Sequence, residues 1–251
     1  RGGTPGCGLM STVDTAPAPA AVTPTVRGFF RRASFWIKAG AISIIGVILV
    51  FLLTGRGAFD DTPLSIGSAA PAGSMAVAEV LRQQGVTVTQ ANTLPEAETA
   101  ATQDSTILFY DPSAYLSSDQ LSTLSELGNH LVIVEPDFFE LEELVPGIAA
   151  AGVPEEVDQL QAHCSLVAAQ RAEYISVSGS TYRVTGNPDR FTSCFPSYDD
   201  AYSLIQSGTG TDLVTVLGAP DVLSNEGIIT AGNAALALNL LGQHSSLVWY
   251  I

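Results

Sequence analysis

Three carboxylates and one phenol have the spacing to do chemistry together. Asp111 follows the apolar run at residues 106–110. Glu135 follows the apolar run at 131–134, and Asp137 stands two residues beyond it. Each run reads as a strand of a parallel sheet buried on both faces. If the two strands are neighbours, the carboxylates meet at the carboxyl edge of the sheet, where open α/β folds bind their ligands. Carboxylates gathered there can hold a divalent cation, or bind a sugar or an amine. Tyr110 is placed to line the same pocket. The alternative is structural: Asp111 and Asp137 lie beside Pro112 and Pro136, where an Asp side chain caps a turn or a helix start.

Other chemistries lack their motifs. Cys164 and Cys194 have no Gly-x-Cys-x-Gly frame, and no Gly-x-Ser-x-Gly occurs, which disfavours thiol or serine hydrolysis. Gly208 and Gly210 are not followed by the Lys and Ser or Thr of a phosphate loop. There is no CxxC or HExxH, and His130, His163 and His244 are scattered along the chain, so no metal or cofactor is assigned. Asn225, Asn233 and Asn239 fall in or near an apolar segment and read as satisfied packing residues. Cys164 and Cys194 pair as a disulfide in an oxidising compartment, or stay as two buried thiols.

The elements that must position these residues alternate in type. A helix begins near Gly73, with Val77, Val80 and Leu81 on one face and Gly85 as its stop. Strands follow at 86–89, 106–110 and 131–134, with helices at 94–101 and after Ser117, whose partner Gln120 completes a capping box. A short strand is expected at 64–66. Such alternation means βα units on a parallel sheet. After about residue 147 the pattern changes. Residues 174–177 and 182–184 flank Ser178-Gly179-Ser180 and read as a hairpin, 191–195 adds a strand, and the insertion runs to about residue 210. A buried strand at 213–217, an apolar helix at 231–241 and a strand at 247–251 resume the first style.

Charge and hydropathy divide the chain. Its formal charge is −15, with 46% hydrophobic residues. Residues 56–251 hold five Arg and no Lys against 24 acidic residues, a balance of −19. That balance excludes a nucleic-acid partner. Residues 39–55, AGAISIIGVILVFLLTG, carry no charge. With Trp36 and Lys38 at the interface, residues 35–55 read as a transmembrane helix in contact with lipid. Basic residues precede it and Asp60 and Asp61 follow. The N-terminus is therefore cytoplasmic and residues 73–251 form an extracytoplasmic domain, joined by a linker at 56–72. Residues 1–34 read as disordered, with Met10 as the natural start and 1–9 as upstream sequence.

Several stretches together carry a resemblance: the anchor, GSMAVAEVLRQQGVTV at 73–88, LFYDP at 108–112, NEGI at 225–228, GNAALALNLLG at 232–242 and LVWY at 247–250. The chain resembles an actinobacterial membrane-protein family known as domain of unknown function 4350. The resemblance implies a three-layer fold similar to flavodoxin and class I glutamine amidotransferases, and a second membrane helix after the domain. It implies no established activity. It points to an accessory role in a membrane complex beside ABC-type export systems or MoxR-type ATPases. The expectation is a non-enzymatic binding or scaffold domain with protein partners in the membrane. The rivals are an envelope sugar- or peptide-binding module and a metal-assisted hydrolase.

Overall fold

The computed structural model describes residues 38–47, 62–128, 130–154, 158–208 and 213–251. The chain divides into two compact units, Arg1–Leu53 and Thr54–Ile251. In the first, residues 38–47 are helical. The remainder of the expected membrane helix, 35–37 and 48–55, lies outside the described residues, as do 1–34 and the linker up to residue 61. Among the described residues, no helix is long and apolar enough to cross a membrane.

The second unit is built on a mixed sheet. Five strands run parallel: β1 (Thr87–Ala91), β2 (Ser105–Phe109), β3 (His130–Val134), β10 (Leu213–Leu217) and β11 (Ser246–Tyr250). Their spatial order is β1-β11-β2-β3-β10. Strands β2 and β3 are buried along their whole length, as their unbroken apolar runs demand. Side chains alternate across the sheet with period two. Leu108, Val132, Leu247 and Trp249 face one helical layer, formed by α1 (Met75–Gln83), α5 (Val167–Ala172) and α6 (Asn233–Leu241). Ile107, Phe109, Ile133 and Val248 face the other, formed by α2 (Leu94–Ala100), α3 (Ser118–Ser125) and α4 (Phe138–Leu144). Both faces are covered, so the unit has three layers.

Local sequence sets the helix starts. Ser117 and Gln120 form the capping box of α3, and Asp137 and Glu140 form that of α4. Helix α6 begins at Asn233, two residues later than its apolar pattern suggests, and none of its residues is fully exposed.

Beyond β10 the sheet continues antiparallel through β9 (Tyr202–Ser207), β7 (Thr181–Val184) and β4 (Ile148–Gly152), and β8 (Phe191–Pro196) also pairs with β9. These antiparallel strands occupy the stretch, about 147–210, in which the sequence pattern changes. The expected hairpin around Gly179 does not form. Strand β6 (Tyr174–Ser176) pairs with β5 (Gln159–Gln161) in a separate two-stranded sheet, while β7 joins the main sheet. The reason lies at the turn itself. Gly179 has φ +64°, and the Ser180 N–H donates to the Gly218 carbonyl at 2.7 Å, so the chain is pulled across the end of β10 instead of folding back. The expected strand at 64–66 is a turn as well. Leu64 has φ +57°, and its carbonyl accepts the Trp249 indole N–H at 2.9 Å. A disulfide joins Cys164, in the loop before α5, to Cys194 in β8.

Candidate functional site

The carboxyl ends of β1, β11, β2, β3 and β10 converge on one edge, and the singled-out residues lie along it. Asp111 directs both carboxylate oxygens at its own loop, accepting the N–H of Ser113 at 3.2 Å and of Tyr115 at 2.7 Å. This Asx-type turn carries the chain from β2 toward α3. Asp137 is the N-cap of α4. Its Oδ1 accepts the Glu140 N–H at 2.8 Å while Glu140 Oε2 accepts the Asp137 N–H at 2.9 Å. Two of the three candidate carboxylates are therefore engaged by backbone donors. Among the described residues, no three His, Cys, Asp or Glu side chains gather closely enough to hold a metal ion.

Glu135 is different. It has φ +48°, a backbone conformation that costs a non-glycine residue free energy. Its Oε1 accepts the Ser180 hydroxyl at 3.3 Å. Partial burial raises its carboxyl above the ordinary range; the Ser180 hydrogen bond opposes that shift, and the nearby Asp221 carboxylate reinforces it. The close approach needs glycine opposite: a Cβ on Gly179 would lie 2.7 Å from Glu135 Oε1, and one on Gly218 would strike the Ser180 carbonyl at 1.9 Å.

Tyr110 stands between two clefts. One, of about 340 Å³, is lined by Pro63, Tyr110, Tyr115, Leu116 and Tyr250, with Asp111 at its side. The other, of about 450 Å³, is lined by Tyr110, Ser176, Asp221, Ser224 and Glu226. The first offers aromatic and apolar surface; the second offers hydroxyls and carboxylates. Burial, then the Glu135 charge, holds the Tyr110 phenol above its usual range, so it is a neutral hydrogen-bonding group at physiological pH.

Residues 66–241 match the family described as Domain of unknown function (DUF4350). The chain belongs to that family. An uncharacterized membrane protein of Mycobacterium tuberculosis is 30% identical over 234 residues; the match covers 91% of this chain and 58% of the relative. The chain thus spans little more than half the length of the curated relative it matches. Among solved structures, the mmIFT52 N-terminal domain aligns with TM-score 0.45 at 14% identity, covering 65% of this chain and 86% of that one.

Two features of this DUF4350 domain escape a reading of the sequence. Glu140 is only 3% exposed, and its Oε1 has no hydrogen-bond partner among the described residues. Burial is the main cause that lifts its carboxyl to about 7, partly offset by the hydrogen bond from Asp137, with the Asp137 and Asp111 charges adding to the rise. In the run FFELEEL nothing but the capping-box spacing from Asp137 marks Glu140 out among the three acids. The second feature lies at the amino edge of the sheet. His130 and His244 are not scattered in space. His130 Nε2 meets Thr215 Oγ1 at 2.8 Å, and His244 Nδ1 meets Thr106 Oγ1 at 2.9 Å, with Thr106 directly paired to His130. Burial, and then the neighbouring His244, lowers His130 to about 4. The three asparagines are packing residues. The Asn225 amide group donates to the Ser68 and Ala70 carbonyls, Asn233 donates to Ser176 Oγ and the Gly227 carbonyl, and Asn239 accepts from Arg171.

Proposed function

We propose that this DUF4350 chain is a membrane-anchored, non-enzymatic binding domain that serves as an accessory of a membrane complex, with its docking chemistry in the aromatic cleft beside Tyr110. One observation carries the reading. Asp111 and Asp137 spend their carboxylates on backbone N–H groups, so the cleft presents tyrosine and proline surface rather than convergent acids. Such surface suits an apolar or aromatic side chain of a protein partner. Membrane localisation is supported by the relative, which is a membrane protein. The finer topology has three supports: the uncharged apolar run for an anchor at 35–55, the charge asymmetry for a cytoplasmic N-terminus and an extracytoplasmic main domain, and the family resemblance for a second membrane helix after that domain. The flavodoxin likeness is supported by the strand order, which becomes 2-1-3-4-5 if β11 occupies the place of a first strand. The partners on this reading are components of an ABC-type export system or a MoxR-type ATPase assembly.

The test is affinity purification of the full-length protein from its native membranes. Tyr110→Ala and Tyr115→Ala should each remove the co-purifying partner, while Asp119→Asn, on the exposed face of α3, should not. Unchanged recovery from both tyrosine variants would discard the cleft as the docking site. A melting temperature raised by calcium or magnesium, and no longer raised in Asp111→Asn/Glu135→Gln, would instead favour the metal-assisted hydrolase.

A further inference from the structure

The two ends of the main sheet are finished differently. At one end, β4 carries a bulge between Ala150 and Gly152, and the Ala151 carbonyl accepts the Tyr198 hydroxyl at 2.6 Å. Bulges and side-chain plugs are the usual means of blocking an edge strand. At the other end, β1 is regular and reads Thr-Val-Thr-Gln-Ala, with no charge, proline or glycine. Its ladder to β11 fixes which groups are free. The Thr87 N–H donates to the Ser245 carbonyl and the Ala91 carbonyl accepts the Ile251 N–H, so Thr87, Thr89 and Ala91 face β11. Val88 and Gln90 therefore turn their N–H and C=O groups away from the sheet. Among the described residues, the one hydrogen bond on that side is a long one, from Arg82 Nη2 to the Val88 carbonyl at 3.5 Å.

Beside this open edge lies a shallow cleft of about 580 Å³, lined by Thr89 and Gln90 of β1 and by Pro95, Glu96, Thr99 and Ala100 around α2. Glu96 is its one charged lining residue; its Oε2 accepts the Asn92 N–H at 2.8 Å, which leaves its Oε1 for a ligand. A strand added to β1 would drop alternate side chains onto this cleft and send the others past Val88. We infer that β1 is a docking edge for an extended, basic segment of a partner protein, which adds to the sheet as a further strand. Main-chain hydrogen bonds to Val88 and Gln90 supply the affinity, and the cleft beside Glu96 selects a Lys or Arg side chain. The −19 balance of residues 56–251 favours that charge and disfavours a second copy of the chain in the same place. The inference is independent of the Tyr110 cleft, which lies at a different edge.

The probe is a decapeptide of alternating valine and lysine, added to the full-length protein in lipid nanodiscs. Gln90→Pro is the decisive variant. The Gln90 N–H points away from β11, so proline removes an outward donor without breaking the ladder. The peptide should bind saturably and should slow hydrogen exchange at the Val88 and Gln90 amides. Binding should weaken by about tenfold or more in Gln90→Pro, and likewise for a peptide with alternate backbone nitrogens methylated. Replacing lysine by glutamate in the peptide should weaken it as strongly. Equal binding to Gln90→Pro, or equal binding by the methylated peptide, would reduce the effect to bulk charge attraction and overturn the inference. A dimer that Gln90→Pro converts to monomer would also overturn it, because the edge would then be covered by a second copy.

Discussion

At the amino edge of the parallel sheet, His130 is fully buried and kept neutral, with Thr215 and, through it, Gln206 as its hydrogen-bonding neighbours. At the carboxyl edge, Glu140 is almost as deeply buried and is pushed toward its own neutral form. One group is a base that resists taking up a proton, and the other is an acid that resists losing one. The same cause, loss of water, acts on both. Because the charged forms differ in sign, the consequences for stability run in opposite directions. His130 has a folded pKa below its unfolded value, so its contribution is present above about 6.5 and is lost as pH falls through about 4. Glu140 has a folded pKa above its unfolded value, so its contribution is present below about 4.5 and is lost as pH rises through about 7. Between the two unfolded values the slopes offset each other.

The comparison can be broken or sharpened in several ways. The largest effect is expected away from both titrating groups. Replacing Cys164 and Cys194 by serine opens a loop with a sequence separation of 30 and should cost about 3–4 kcal/mol in denaturant unfolding, in both acid and neutral buffer. A loss confined to one pH would mean that the antiparallel part of the sheet and the two edges are energetically coupled.

Next come the two slopes. In His130→Leu the acid-side loss should disappear, leaving stability that falls as pH rises from 4.5 to 7 by about 3 kcal/mol in total. In Glu140→Gln the reverse should appear: stability rising with pH over 4–6.5, with a gain of about 2 kcal/mol over the parent at pH 8, since the amide oxygen still accepts from Asp137. The double variant should be flat again. Urea titrations at five or six pH values check all three, and parallel curves for parent and single variants would refute the opposed-edge account. The smallest effect belongs to Glu135. Asn tolerates a positive φ better, so Glu135→Asn should change unfolding free energy by no more than about 1 kcal/mol, strain relief offsetting the lost Ser180 bond.

What could be read from the sequence was local. The capping box at Ser117 and Gln120, the helix at 94–100 and the buried runs of β2 and β3 follow from spacing and hydropathy within a few residues. The placement of Asp111 and Asp137 at turn and helix starts was legible for the same reason, because proline and Asx signals act within one turn. What depended on distant partners was not. Residues 174–177 and 182–184 have the alternation of a hairpin, but Gly218, some forty residues on, supplies the carbonyl that draws Ser180 away. The pairing of His130 with Thr215 spans 85 residues and leaves no periodic trace. Glu140 resembles Glu142 and Glu143 until the packing of α4 decides which acid turns inward.

Strand β11 lies between β1 and β2 in the parallel sheet. Strands β1 and β2, close in the chain, therefore have no bond to one another: β2 can pair with β3, but β1 joins the sheet only when the segment beyond residue 245 arrives. On a ribosome or at a translocation pore, the early half of this domain must wait with two unsatisfied strand edges. Closure of this sheet waits for the last of its strands to be made rather than the first. Such a non-local closure slows folding and lengthens the interval in which chaperones or neighbouring chains can seize the exposed strands.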